Sequence, residues 1–216
     1  MSDTSKTYNV RLRKMVLAAL FTAIIVIMGF TPLGYIKIGV IEVTFLMIPV
    51  AIGATVLGPV WGIFFGAVFG LTSFIQCFGY SPFGVALLAI NPVGTFITCL
   101  VPRILMGYLT GIIFRLISKI DKTKIISFIV TSISGALLNT IFFVASFLIL
   151  FRNANLEAFA MDLSTMSVMN VILVLVTFNS ILEIIVCGVI GTALSKVLVK
   201  FIPADITIKS KKAKEQ

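Results

Sequence analysis

The sequence contains no histidine and only three cysteines among 216 residues, and these absences exclude several kinds of site. Without histidine, the chain forms no Ser-His-Asp triad, no histidine metal site and no imidazole pH switch. Cys77, Cys99 and Cys187 are far apart in apolar stretches and form no C-x-x-C pattern, which argues against a zinc site and a disulfide framework. We expect them to be small packing residues.

Charged residues are also scarce, since they make up 12% of the chain while 59% is hydrophobic. Soluble domains contain about 25% charged and about 45–50% apolar residues, so this composition indicates a membrane protein. The sequence has no H-E-x-x-H, no G-x-S-x-G, no Walker A motif and no acidic metal motif. We therefore predict that the chain is not an enzyme and has no catalytic residue, no metal site and no cofactor of its own.

Long uncharged runs supply the membrane segments, because a spanning helix needs about 20 mostly apolar residues. Breakers at Gly58-Pro59, at Phe78 to Pro82 and at Asn91-Pro92 divide these runs. The pattern predicts an all-α integral membrane protein, a compact six-helix bundle with spans at about 15–30, 44–57, 59–77, 94–117, 125–151 and 168–198. The predicted parts are an N-terminal segment at 1–14, a membrane domain at 15–200 and a tail at 201–216.

The basic residues predict the orientation of the bundle. With six spans both termini lie on one side, and that side carries fourteen of the 17 basic residues. The opposite side has only Lys37 and Arg152, while Arg103 falls inside the fourth span. The positive-inside rule then places both termini in the cytoplasm of a multi-pass protein in a prokaryotic-type cell membrane. The net charge of +9 thus reflects topology, and we do not expect nucleic-acid binding.

Polar residues within the spans are the candidate site, because polar groups at membrane depth are costly. Spans four to six are predicted to converge on a pocket open to the outside, which the loop from Thr31 to Glu42 would cover as a lid. One alternative is purely structural: Arg103 pairs with Glu183, and the asparagines bridge helices. The candidate substrate-binding residues are Asn91, Thr95, Arg103, Asn139, Asn179 and Glu183.

Small residues recur at four-residue spacing and predict close helix packing. Gly62, Gly66 and Gly70 form such a stripe in the third span, which we interpret as packing within the bundle. Ala19 and Ala23 share one face of the first span. For this pair, internal packing or chance in an Ala-rich stretch is the alternative to close contact with another helix.

Three stretches together resemble the substrate-binding S components of energy-coupling factor (ECF) vitamin transporters. They are the run from Arg13 to Ala23, the run from Ile48 to Ala54, and the turn from Leu57 to Gly62 that leads into the glycine-rich third span. The resemblance covers all six predicted spans. Ala19 and Ala23 match the family's A-x-x-x-A coupling motif, which implies a docking role.

The resemblance also implies partners and a mechanism. An S component captures a vitamin from outside and docks on a membrane coupling subunit that carries two cytoplasmic ATPases, so ATP is hydrolysed by the partners. It is thought to topple in the bilayer and so carry the pocket to the cytoplasmic side. Residues 31–36 and 66–73 look most like the pantothenate-type branch. Pantothenate is a small carboxylate with hydroxyl and amide groups, so we expect Arg103 to bind the carboxylate, and Asn139 and Asn179 the polar groups. Riboflavin or another vitamin is the alternative, and a secondary carrier or a non-transport assembly protein are the alternatives of another class.

Overall fold

The computed structural model describes residues 2–32, 34–38, 41–121, 125–152, 155–156, 161–162 and 179–194. These residues form a helical bundle with two small antiparallel hairpins. Of the predicted spans, the sixth is described only from residue 179, and the predicted tail lies outside the described residues. The elements in chain order are α1 (Ser2–Gly29), β1 (Tyr35–Ile38), β2 (Ile41–Thr44), α2 (Met47–Leu57), α3 (Pro59–Gln76), α4 (Pro82–Ile90), α5 (Pro92–Ile117), α6 (Ile125–Phe151), β3 (Asn155–Leu156), β4 (Met161–Asp162) and α7 (Asn179–Val186), which continues through a π-helical turn at Cys187–Gly191.

Four described helices are long and apolar enough to cross a membrane. They are the part of α1 from Val10 to Gly29, then α3, α5 and the part of α6 from Ile126 to Phe151. The helix α1 begins at Ser2, so the N-terminal segment predicted at 1–14 is helical from that residue and belongs to α1. The prediction of a helical bundle is therefore confirmed, and these four helices fit the predicted membrane spans.

The helix α2 forms the centre of the bundle. All of its 11 residues are buried, and at 1.5 Å per residue it is about 16 Å long, roughly half the thickness of a bilayer core. Ile25 of α1 and Phe65 of α3 belong to the same buried cluster, so α2 is surrounded by protein. Gly58 follows α2 with φ of 109°, a conformation that favours glycine, and Pro59 begins α3 directly after it.

Two hairpins and one short helix were not predicted from the sequence. The loop after α1, predicted to be a lid, contributes to the hairpin β1–β2, in which Tyr35 is paired with Thr44, and the second hairpin is β3–β4. The fold is mostly helical as predicted, and the short hairpins are its departure from the all-α prediction. The segment between the second and third breakers is the short helix α4, which Ser81 caps by accepting a hydrogen bond from the Gly84 N–H at 3.2 Å.

Candidate functional site

The packing of α3 on α5 positions the site. A Cβ atom on Gly62 would collide with the carbonyl oxygen of Gly107, and one on Gly66 would collide with that of Arg103. One turn further along, a Cβ atom on Gly70 would lie 2.8 Å from Cα of Leu100. The two helix backbones are thus in direct contact, which confirms the packing role predicted for the α3 glycines. This contact places the backbone of Arg103 against α3 in the interior of the bundle.

A proline explains the first contact of the Arg103 side chain. Pro102 lies inside α5 and has no N–H, so the carbonyl oxygen of Thr98 loses its usual partner four residues later. The guanidinium of Arg103 takes that place, and Nη1 donates to the Thr98 oxygen at 2.6 Å. A backbone acceptor freed by proline therefore holds a charged side chain about 16 Å from the start of α5 at 1.5 Å per residue.

Two aromatic rings hold the same guanidinium. Its central carbon lies 5.4 Å from the ring centre of Phe69 on α3 and 5.1 Å from that of Phe143 on α6. Both distances are within the range of cation–π attraction. Arg103 is only 7% exposed, and its Nε has no hydrogen-bond partner in the described part of the chain. The side chain is held in place, and of its five N–H donors only one, on Nη1, is used within the described residues.

Three further buried polar atoms near Arg103 have no partner among the described residues. The hydroxyls of Thr98 and Tyr35 and the amide oxygen of Asn139 are all in this state. Thr98 contacts Arg103 directly, the charge of Arg103 acts on Tyr35, and Asn139 lies one helical turn from Phe143. A buried polar atom without a partner costs about 1–3 kcal/mol, so we take these four atoms as the candidate site for a polar ligand.

Tyr35 is a further candidate site residue, which the sequence did not indicate. Its hydroxyl is buried near Ser73 and Thr44 without meeting hydrogen-bond geometry to either. Burial raises the pKa of the Tyr35 phenol to about 12, so the hydroxyl is neutral at physiological pH and available as a donor. The alternation of side chains along Tyr35–Ile38 was the signal that could have placed this residue on a strand.

Glu183 is buried and does not form the ion pair with Arg103 that the structural alternative requires. Among the described residues, Glu183 Oε1 instead accepts a hydrogen bond from the Thr44 backbone N–H at 2.8 Å. The charge of Arg103 still acts on Glu183, so the two groups belong to one electrostatic neighbourhood. Asn179 begins α7, and its side chain lies outside the described residues.

Asn91 and Thr95 are occupied within their own helix. Asn91 caps α5, and its Oδ1 accepts a hydrogen bond from the Gly94 N–H at 2.9 Å. The Thr95 hydroxyl donates to the Asn91 carbonyl oxygen at 2.9 Å, and the Thr95 side chain is fully buried. The structure therefore places Arg103 against Thr98 and Phe143, one helical turn from Asn139, and gives Asn91 and Thr95 local roles.

Ala19 and Ala23 lie on the outer face of α1 and are exposed. Their neighbours Ala18, Phe21 and Ile25 face the core instead. Met15 and Val16, one turn before Ala19, are also exposed. The internal-packing interpretation of the alanine pair is therefore wrong within this chain, and the face is open to lipid or to a partner.

Comparison with known proteins identifies the class. The ECF transporter substrate-specific component family matches residues 13–195, so the chain belongs to this family and the resemblance found in the sequence is confirmed. The chain is 29% identical over 205 residues to the pantothenate transporter PanT of Leuconostoc mesenteroides subsp. mesenteroides, with 88% of this chain and 94% of that protein covered. The solved structure of ThiT from Listeria monocytogenes shares the fold, with a TM-score of 0.63 at 20% identity, covering 89% of this chain and 99% of the other.

Proposed function

We propose that this S component binds pantothenate from outside the cell and delivers it to an ATP-driven coupling module. The observation that carries the proposal is the buried guanidinium of Arg103, which has an open Nε and no acidic ion-pair partner in the described part of the chain. A charged side chain inside a membrane protein is costly and usually has a function. An anionic ligand group would complement the positive charge of Arg103.

The chemistry of pantothenate matches the open groups around Arg103. Its carboxylate suits the planar fork of an arginine, which forms charge-assisted hydrogen bonds. Its hydroxyl and amide groups require donors and acceptors, and Tyr35, Thr98 and Asn139 offer both. The relative named as a pantothenate transporter supports the same choice. Asn179 and Glu183 complete the proposed pocket from the last helix.

The proposed partners are a membrane coupling subunit and two cytoplasmic ATPases. The exposed alanine face of α1 supports this part of the proposal, because small residues let two helix backbones approach closely in lipid. We further propose six spans with both termini in the cytoplasm. The asymmetric distribution of basic residues supports that orientation.

The direct experiment identifies the ligand of the purified protein. Protein extracted in mild detergent is denatured, and the released small molecules are identified by mass; calorimetry then measures binding of pantothenate and riboflavin to ligand-free protein. We expect pantothenate alone to bind tightly. Release and binding of riboflavin, with no pantothenate binding, would overturn the choice of vitamin. Uptake into vesicles by the isolated chain, without ATPases, would instead indicate a secondary carrier.

A further inference from the structure

The guanidinium of Arg103 is a buried positive charge, and its contacts within the protein determine how it is stabilised. A buried charge is normally paired with an opposite charge or coordinated. Within the residues that the structure describes, Arg103 has no carboxylate ion pair, and Glu183 accepts from the Thr44 N–H instead. Among the described residues, a carbonyl oxygen and two aromatic rings hold this cation in place of a counter-ion.

Pro102 makes one hydrogen-bond acceptor available to Arg103. If residue 102 had an N–H, the Thr98 carbonyl would accept the regular helical hydrogen bond and compete with Arg103. Proline removes that donor and leaves the oxygen for Nη1, which lies 2.6 Å away. The proline therefore acts on Arg103 through Thr98.

A stack of aromatic rings on α6 also contacts Arg103. Phe143 presents its ring to Arg103 and is followed at four-residue spacing along α6 by Phe147 and Phe151. The ring centres are 6.2 Å and 5.6 Å apart, with interplanar angles of 16° and 19°. The stack fixes the orientation of Phe143. Phe69 covers the guanidinium from α3 and is fully buried.

We propose that Pro102 and Phe143 are positioning residues that hold Arg103 without a counter-ion, so that the site selects a carboxylate over a neutral group. This inference rests on the proposed function of the same site. A carbonyl oxygen and two ring faces attract the cation but do not neutralise it, and Nε remains open for the ligand. Loss of either residue frees the guanidinium, and the selectivity for an anionic ligand end falls.

Binding of two ligands tests this selectivity. Pantothenate and its alcohol analogue, which has CH2OH in place of the carboxylate, are titrated into the parent, Pro102→Ala, Phe143→Leu and the matched control Phe128→Leu. Phe128 is a buried, stacked ring of the same helix far along α6 from the site. We expect each positioning variant to bind pantothenate about tenfold more weakly and the alcohol within about twofold of the parent, as loss of one charge-assisted contact implies.

The outcomes are separable. Equal weakening of both ligands by Pro102→Ala and Phe143→Leu would mean a general packing role and would overturn the inference. Phe128→Leu is expected to leave the ratio of the two affinities unchanged. A parent that binds neither ligand would overturn the proposed function, and the stability measurement below then decides the inference without any ligand.

A double-mutant cycle on thermal stability supplies that measurement. Phe143→Leu is made in the parent and in Arg103→Met, and the four melting temperatures are compared in detergent. If Phe143 holds the cation, Phe143→Leu lowers the melting temperature by clearly more in the parent than in Arg103→Met. Equal shifts in both backgrounds would show that the two side chains are not coupled and would contradict the inference.

Discussion

The Glu183 carboxylate accepts a hydrogen bond from the backbone N–H of Thr44 at 2.8 Å, although the two residues are 139 positions apart. This contact fastens the end of β2, and with it the hairpin that carries Tyr35, to the last helix. Glu183 therefore holds the hairpin in place, in addition to any contact with the ligand. This role explains why a carboxylate lies beside a pocket that we propose for an anion.

Substitution of Glu183 separates these roles. Glu183→Gln keeps an oxygen acceptor for the Thr44 N–H, so we expect pantothenate affinity within a few-fold of the parent. Glu183→Ala leaves a buried N–H without a partner, which costs about 1–3 kcal/mol, so both the melting temperature and the affinity should fall. Calorimetry and thermal unfolding measure both. A Gln variant as impaired as the Ala variant would show that the charge, and not the acceptor, is required.

Gly66 sets the distance between α3 and α5 beside Arg103. A Cβ atom there would collide with the Arg103 carbonyl oxygen, whereas a Cβ atom on Gly135 of α6 would meet its nearest neighbour at 3.6 Å. We expect Gly66→Ala to destabilise the protein by about 1–3 kcal/mol, the usual cost of overpacking. The control Gly135→Ala should change stability little. Thermal unfolding in detergent makes the comparison, and equal effects would contradict the close packing of α3 on α5.

The alanine face of α1 makes a prediction about docking. Ala19→Trp and Ala23→Trp should abolish ATP-dependent uptake in cells that contain the coupling module, because a bulky side chain blocks close helix contact. Pantothenate binding to the isolated chain should persist, since both residues are exposed. The control Ile149→Trp replaces an exposed residue of α6 and should transport normally. Normal uptake by the alanine variants would contradict docking through this face.

The orientation is tested by labelling in intact cells. Arg152→Cys should react with a membrane-impermeant thiol reagent added outside, and Lys122→Cys should not, since basic loops favour the cytoplasm. The native cysteines are buried and provide a low background. Labelling of Lys122→Cys alone would show that the topology is the reverse of the one proposed, with the entrance of the pocket on the cytoplasmic side.

Much of the fold could be predicted from the sequence, because uncharged runs between breakers define membrane helices. The predicted span 125–151 coincides with Ile125–Phe151, and 59–77 differs from Pro59–Gln76 by one residue. The hairpin and α4 were missed because short elements lack a long periodic pattern. The capping serine and proline at Ser81-Pro82 were a readable sign of α4.

The site was predicted only in part. Arg103 and Asn139 stood out, because polar residues within apolar helices are conspicuous. Phe69 and Phe143 did not, since most of the 19 phenylalanines fit lipid or core equally well in a sequence. Asn91 was chosen for its polarity, but its position before Pro92 is typical of a helix cap. Only the fold reveals which apolar residues surround a charge.

The most direct test of the account is calorimetric binding of pantothenate to the parent, to Arg103→Ala, to Arg103→Lys, and to the double variant with Glu183→Ala. If Arg103 anchors the carboxylate, Arg103→Ala lowers the affinity by at least about tenfold, because a charge-assisted hydrogen bond contributes roughly 1.5–3 kcal/mol. Arg103→Lys keeps the charge but loses the fork, so its affinity should be intermediate. The double variant should bind no better than Arg103→Ala. A double variant that binds pantothenate as tightly as the parent would contradict the anchoring role of Arg103.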